Sequence, residues 1–284
     1  MPVEASVTVI VLNWNGKVLL EDCLGTLEKV EYNNYNVLVV DNGSTDDSVQ
    51  YIKSNFSAVD VLELDNNLGY AGGNNAGFKH VLLKNDPEIV VFLNNDTIVD
   101  AHFISTLVKK LDDPDAGISS PKIYYAHEPE RIWFNGADIN LATGKIEHRN
   151  IREMDSARLV TMEMSDYATG CCLAIKSKIF SNINGFDEAF SMYAEDVDLS
   201  LRVKETGKEI FMAPGAKVWH KVSSSIGGEF SLKKLRRKFG GLLRIYVKHA
   251  NMFEWLSILL LSPVLILVNL LRLLVLKFHQ SSSE

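Results

Sequence analysis

Cysteine is scarce in this chain: Cys23, Cys171 and Cys172 are the only three in 284 residues. Three thiols cannot all pair within one chain, adjacent cysteines rarely bridge, and none of the spacings suits a metal centre. A disulfide scaffold and a cysteine-built zinc site are therefore excluded, and a reducing compartment is expected. Positive charge is also in short supply, with 29 Lys and Arg against 36 Asp and Glu and a formal net charge of -7. The overall field opposes non-specific phosphate binding, so no nucleic-acid partner is expected. The opening MPVEASVTVIVLNW carries no basic leader, and its short apolar run is strand-like, so no signal peptide is expected. No Gly-Lys-Ser/Thr phosphate loop, no calcium-loop pattern and no dinucleotide fingerprint after the first strand is present.

What the chain does have is a rhythm over its first hundred residues. VTVIVLN (7–13), NVLVVD (36–41), AVDVLELD (58–65) and EIVVFLN (88–94) are short apolar runs, three of them rich in β-branched residues, separated by helical stretches. This alternation predicts parallel strands covered on both faces. The helical stretches run to about Val30, from near Asp46, and over 71–84. In such sheets the ligand crevice lies beyond the carboxyl ends of the strands. All four ends turn polar there: Asn13, Asp41 with Asn42, Asp65 with Asn66, and Asn94 to Asp96. A single polar end is a turn; four on one rim predict a site.

Residues 101–220 lose that rhythm and predict an α+β half grafted on the first. It holds a helix over 101–111, short strands near 132–134 and 170–175, and a helix ended by Gly207 and followed by an edge strand. The polar tract ATGKIEHRNIREMDSARLV predicts a loop or lid near an acceptor. The expected division is a nucleotide-binding half (1–100), an acceptor-binding and catalytic half of the same domain (101–228), and a C-terminal helical region (229–284).

Several residues are candidates for chemistry. Asp41 can accept hydrogen bonds from a base or a ribose; as a helix cap it is less well placed than Ser44 or Thr45. The stretch NNLGYAGGNNAGF, with Gly69, Gly72 and Asn74, can bring backbone close to a ligand and offer helix N–H groups to phosphate. Asp96 offers an oxygen ligand to magnesium or manganese, the shell being completed by phosphate oxygens and water. In FDEAFSMYAEDVDLSLR, Glu195 and Asp198 share a helix face, Asp198 is placed to pair with Arg202, and Asp196 points elsewhere. A solvated helix start explains these acids equally well; a general base at the mouth of a cleft is the sharper reading. His220 stands at the end of a strand beside Trp219, a structural histidine unless Asp96 faces it.

The far end departs from the rest. Residues 230–248 carry Lys233, Lys234, Arg236, Arg237, Lys238, Arg244 and Lys248 with no acid, interleaved with apolar positions at helical spacing, although Gly240 and Gly241 weaken the middle. WLSILLLSPVLILVNLLRLLVL (255–276) follows, long enough to span a bilayer but interrupted by Pro263, Asn269 and Arg272. A basic amphipathic helix leading into an apolar one fits an anionic membrane surface. A helix pair that joins subunits of a homo-oligomer is the alternative.

VTVIVLNWNG, LEDCLGTL, VLVVDNGSTDDS, NNLGYAGGNNAGF, FLNNDT, ATGCCLAIKSKIF, NGFDEAFSMYAEDVDLSLRVKETG and VWHKVSSS together resemble the inverting glycosyltransferases of family 2, in particular the rhamnosyltransferase-like members, over about residues 6–220. The resemblance implies the GT-A fold, an α/β Rossmann-like and mostly parallel sheet with helices on both faces, here followed by membrane-associating C-terminal helices. It implies a nucleoside-diphosphate-sugar donor and a divalent metal, Mg2+ or Mn2+. The acceptor it implies is a glycan or a lipid-linked sugar, used in envelope polysaccharide synthesis at the cytoplasmic face of the membrane. Donor contacts then fall to Asn13, Asp41, Asn42, Gly69, Gly72, Asn74 and Asn94. Asn94 stands where an Asp-x-Asp motif has its first aspartate and Asp96 at its last; His220 matches a histidine that completes the metal shell in some relatives. Asp196 matches the catalytic base, with Glu195 orienting it or the acceptor. A non-catalytic sugar-nucleotide or polysaccharide binder and a sugar nucleotidyltransferase are the competing readings. The first could dispense with the 195–196 pair, and the second would carry a basic glycine-rich loop where this chain has NWNGK.

Overall fold

The computed structural model describes residues 4–156, 159, 162–190, 193–222 and 232–261. Its first part is β1 (Val7–Asn13), α1 (Lys17–Leu27), β2 (Tyr35–Asp41), α2 (Ser48–Asn55), β3 (Asp60–Glu63), α3 (Gly69–Lys84) and β4 (Ile89–Asn94). β1 pairs in parallel with β2 and β4, and β2 with β3. Alternate residues of each strand enter different cores. Val7, Val9, Val11, Val39 and Val91 feed one, while Ile10, Leu38, Val40, Val90 and Phe92 feed the other. This is the period-two consequence of a sheet buried on both faces. It is also why these strands read as unbroken apolar runs.

The chain continues through β5 (Thr97–Val99), α4 (Phe103–Leu111), β6 (Ala116–Tyr125), β7 (Glu128–Phe134), β8 (Ala137–Asn140), β9 (Lys145–His148), β10 (Met164–Ser165) and β11 (Cys172–Lys176). α5 (Ser177–Asn182), α6 (Glu195–Glu205), β12 (Glu209–His220) and α7 (Leu232–His249) complete the named elements. Residues 252–261 form a further helix. β11 runs antiparallel along β4, so the sheet continues across residue 100 in the order β10-β12-β6-β11-β4-β1-β2-β3. The expected grafted half is thus an extension of the first sheet, mixed in direction.

Four local expectations change. β6 is a long central strand that the sequence hides behind Ser119, Ser120 and Pro121. Pro121 lies where the β6–β12 register breaks, so its missing N–H disturbs little of the ladder. β12 is not an edge, since it lies between β10 and β6. Within the tract expected as a loop, Lys145–His148 pairs with Ala137–Asn140 as a hairpin. Ser44 and Thr45 do not cap α2; the Ser48 N–H donates to Asp46 Oδ1 at 3.1 Å instead. No helix among the described residues is long and apolar enough to cross a membrane. Residues 262–276 of the apolar run lie outside the described residues.

Candidate active site

The parallel register aligns three polar strand ends. Asn13 of β1 is level with Asp41 of β2, and Leu12 with Asn94 of β4. Asn13 is fully buried and works as a bracket: its Nδ2 donates to Asp41 Oδ1 at 3.1 Å, and its Oδ1 accepts from Asn95 Nδ2 at 2.8 Å. Asp41 Oδ2 accepts the Ser44 N–H at 3.0 Å, which ties the turn after β2. Each Asp41 oxygen keeps a second lone pair. Asn42 holds the start of α3, donating to Gly69 O at 3.0 Å while its Oδ1 accepts the Leu68 N–H at 2.8 Å. Gly16 leaves room for this bracket, because a Cβ on it would lie 2.2 Å from Asn95 Nδ2 and 2.6 Å from Asn13 Oδ1 and would push the two amides apart.

The glycine-rich stretch serves packing more than the sequence suggests. Gly69 takes a left-handed turn at φ 74°. Added Cβ atoms on Gly73 and Gly77 would meet Leu12 Cδ1 at 2.4 Å and Val40 Cγ2 at 2.6 Å, so these glycines seat α3 directly on the sheet. Gly72 lies against Leu68 with the Glu188 carboxylate 3.8 Å from where its Cβ would be. Asn74 donates to Tyr70 O at 3.0 Å, and its buried Oδ1 has no hydrogen-bond partner among the described residues.

Asp96 and His220 are brought together by the sheet. The antiparallel pairing of β5 with the end of β12 sets His220 opposite Thr97, and the Lys221 N–H closes onto Asp96 O at 2.8 Å. His220 Nε2 lies 3.1 Å from Asp96 Oδ1, both side chains being nearly buried. The Trp133 ring stands edge-on to His220 with centroids 4.6 Å apart. His220 Nδ1 is buried without a hydrogen-bond partner among the described residues. A carboxylate facing an imidazole is a fitting partial donor set for a divalent cation, with the imidazole shifting preference away from magnesium. No group of three His, Cys, Asp or Glu that could hold a metal occurs among the described residues, so remaining ligands would come from phosphate and water. The nearby thiols are not competitors: burial pushes Cys23 up to about 12 and Cys171 well above its usual value.

Glu195 and Asp196 open α6, and both residues before them are left-handed, Tyr193 at φ 73° and Ala194 at φ 74°. Two consecutive non-glycine residues in that region are strained. The turn aims the two acids differently. Glu195 is buried, and its Oε2 has no hydrogen-bond partner among the described residues. Burial and then the neighbouring Asp196 charge push it up to about 8. Asp196 is half-buried, with Oδ2 accepting the Gly170 N–H at 2.9 Å and Oδ1 the Val197 N–H at 2.9 Å. Burial raises its pKa, opposed by those two N–H groups. Asp198 faces the other way and pairs with Arg202 at 2.8 Å, as the helical spacing predicts.

One segment joins these pieces. The Asn94 N–H donates to Cys171 O at 2.9 Å, and the next residue back, Gly170, holds Asp196. Tyr70 of α3 closes the same segment, its hydroxyl donating to Gly170 O at 2.6 Å. Asp41, Asn13, Asn95 and Asp96 therefore form one chain of contacts, and Asn94, Cys171, Gly170 and Asp196 a second that starts from the same turn. Asn95 and Tyr70 are the members that sequence reasoning passed over. Asn95 lies in FLNNDT between two candidate ligands and counts in the sequence only as part of a polar strand end, and Tyr70 lies in a stretch dominated by its glycines.

Comparison with known proteins agrees with this architecture. The family model "Glycosyl transferase family 2" matches residues 8–183. An uncharacterised protein, y4gI of Sinorhizobium fredii, is 28% identical over 78% of this chain, which spans only 24% of that relative's length. The N-acetylglucosaminyl-diphospho-decaprenol L-rhamnosyltransferase of Mycobacterium tuberculosis is 26% identical over 77% of both chains. Among solved structures, GalNAc-T7 with UDP, GalNAc and Mn2+ aligns with a TM-score of 0.69 at 14% identity, over 88% of this chain and 49% of that one. The fold is GT-A-like, and by the extent of the family match the chain belongs to glycosyl transferase family 2.

Proposed function

We propose that the protein is an inverting glycosyltransferase. It moves a sugar from a nucleoside-diphosphate-sugar to a hydroxyl of a glycan or lipid-linked acceptor, with Asp196 as general base. The observation that carries this reading is the shared turn: the Asp96–His220 pair and the Asp196 carboxylate hang from one junction between β4 and the segment before β11. A leaving diphosphate and an attacking hydroxyl must flank one anomeric carbon, and a metal-holding pair and a carboxylate tied to one junction suit those two tasks. The rhamnosyltransferase named above and the Mn2+- and UDP-bound neighbour support a donor and acceptor of these classes.

Asp41 and the bracket around Asn13 form the donor end, where Asp41's remaining lone pairs can accept from a base or ribose. Asp96 and His220 would hold the divalent metal, Mg2+ or Mn2+, which when bound supplies Lewis-acid stabilisation of the departing nucleoside diphosphate. Asp196 takes the proton from the acceptor hydroxyl as that oxygen attacks the face opposite the leaving group, and configuration inverts in a single displacement. Its raised pKa makes it a better proton acceptor than an exposed carboxylate. Glu195, its neighbour at the start of α6, orients it or the acceptor. The chain works at the cytoplasmic face of the membrane and meets the lipid surface through residues 229–276.

A thermal-unfolding screen of UDP-, GDP- and dTDP-sugars tests the donor half. At least one should raise the melting temperature, more so with Mn2+ than after chelation by EDTA. Release of free nucleoside diphosphate from that donor separates this reading from a binding module. Protection by no sugar nucleotide with or without Mn2+ would falsify it.

A further inference from the structure

The helix α7 contains two adjacent glycines and a run of cations, and the structure shows what its inner face touches. A Cβ added to Gly241 would lie 2.7 Å from Tyr193 O and 3.3 Å from Ala194 Cβ. The helix therefore packs on the left-handed pair that aims Glu195 and Asp196, and only a glycine fits there. Lys238 Nζ stands 5.6 Å over the Tyr193 ring, and Arg244 stands 5.6 Å over Phe190. Lys248 Nζ reaches Asp187 at 2.8 Å and Asp198 at 2.7 Å, and His249 Nε2 lies 2.9 Å from Asp198. The loop before the base and the helix carrying it are thus gripped from one side.

The opposite face of α7 carries a stripe with no cover among the described residues. Phe239, Leu243 and Val247 follow at i, i+4 and i+8 and are 67%, 47% and 71% exposed. Arg236 is exposed, Arg244 is exposed too although its guanidinium also stands over Phe190, and no acid occurs between residues 232 and 249. Past the helix end, Met252, Phe253, Leu256 and Leu260 are exposed in turn, and the apolar sequence runs on through residue 276. An apolar stripe edged by arginines complements an anionic lipid surface. A soluble partner would offer acids to the arginines, but it would leave the continuing apolar run unmatched.

We propose that α7 couples an anionic bilayer to the catalytic pair: its outer stripe seats in the lipid surface, and through Gly241 and Lys248, as positioning residues, its inner face holds the strained Tyr193–Ala194 turn and aims Asp196. The membrane half of this rests on the function proposed above, but the clamp does not. Strain of this kind persists only where surrounding structure over-determines it, and α7 is the element packed on it. A base misplaced by about 1 Å costs roughly two orders of magnitude in rate, so a modest loosening of the clamp is enough to switch turnover.

The test uses the full-length chain with phosphatidylglycerol-containing vesicles and with phosphatidylcholine vesicles. The chain should sediment with the first and not the second, and amide exchange over residues 193–198 should slow at least about tenfold on binding. Phe239→Ser with Val247→Ser should abolish sedimentation while leaving sugar-nucleotide protection intact. Gly241→Val should still sediment without slowing exchange, and should lower kcat for nucleoside-diphosphate release at unchanged donor KM. If Gly241→Val does not fold, Lys248→Met should give the same split and Lys248→Arg should restore it. Sedimentation with no change in exchange, or protection in Gly241→Val equal to wild type, overturns the coupling. A chain that ignores vesicles and elutes as a dimer assigns the stripe to a second copy and overturns it too. Vesicle-dependent protection without binding of any sugar nucleotide leaves the clamp standing and removes the transferase reading. Donor binding without vesicle effects does the reverse.

Discussion

Asp196 and Glu195 are neighbours in sequence yet are given different surroundings. Asp196 keeps two N–H donors and an opening to solvent, and Glu195 is buried with one oxygen bare. Asp196→Asn should leave donor binding intact, because the proposed donor contacts fall to other residues, although the amide cannot accept from both the Gly170 and the Val197 N–H and should cost some stability. Turnover should fall by about two to four orders of magnitude, the usual worth of a general base. Near-normal turnover would transfer the role to Glu195. The two acids titrate as a pair, so their pH dependence belongs to both. Both are raised, so activity should be lost as pH falls through a limb lying above the ordinary carboxylate range. Burial is what raises Asp196, so Glu195→Gln should leave the limb in place if it belongs to Asp196; loss of the limb, read as kcat/KM against pH, would assign it to Glu195. The position of these residues at the start of α6 was legible in the sequence, because a carboxylate pair before a helical run is an explicit pattern. Their unequal environments were not, because burial is set by tertiary packing, such as that of α7 on Tyr193 and Ala194, which residue spacing does not show.

Elements were legible in proportion to how local their causes are. The β-branched strands β1, β2 and β4 declared themselves, since a doubly covered strand has only apolar residues to show. β6 did not, because Ser119, Ser120 and Lys122 are buried in it and Lys122 is neutralised by Asp155 at 2.7 Å, a partner from a distant loop. The glycines of α3 were read as ligand-facing, whereas contact with the sheet decides two of them, Gly73 and Gly77. Gly77 shows how the balance falls. Replacing it with alanine gains up to about 1 kcal/mol of helix propensity. The new methyl would, however, meet Val40 Cγ2 at 2.6 Å and Ile10 Cγ2 at 2.9 Å, on stiff branched side chains that cannot swing aside. Overpacking of this kind costs about 1–3 kcal/mol. Gly77→Ala should thus lower stability in urea by up to about 2 kcal/mol, and a gain would show that α3 can lift off the sheet without penalty.

At the scale of the whole molecule, α7 returns to α6 and is fixed there by charge. The sequence showed its basic face but assigned all of it outward; Lys248 and His249 in fact turn inward to Asp198. Asp198 is completely buried and is shared by Arg202, Lys248 and His249. Burial pushes its pKa up, but His249, Lys248 and Arg202 outweigh that and hold it down from 3.8 to about 2. A depressed carboxylate binds its proton more weakly when folded than when unfolded. Its contribution is therefore fully present above about pH 4 and fades as pH falls toward 2. Asp198→Asn leaves the cations in place without their shared anion. Because Lys248 remains about a third exposed and can recover water, the loss should lie near the low end for a broken buried pair, about 3 kcal/mol at neutral pH. The gap between variant and wild type should then close as pH drops from 4 to 2, when the wild-type carboxylate also takes up its proton. Melting curves across that range decide the matter. A constant gap would mean that Asp198 contributes packing and hydrogen bonding alone, and that α7 is held on α6 by its apolar contacts instead of by this cluster.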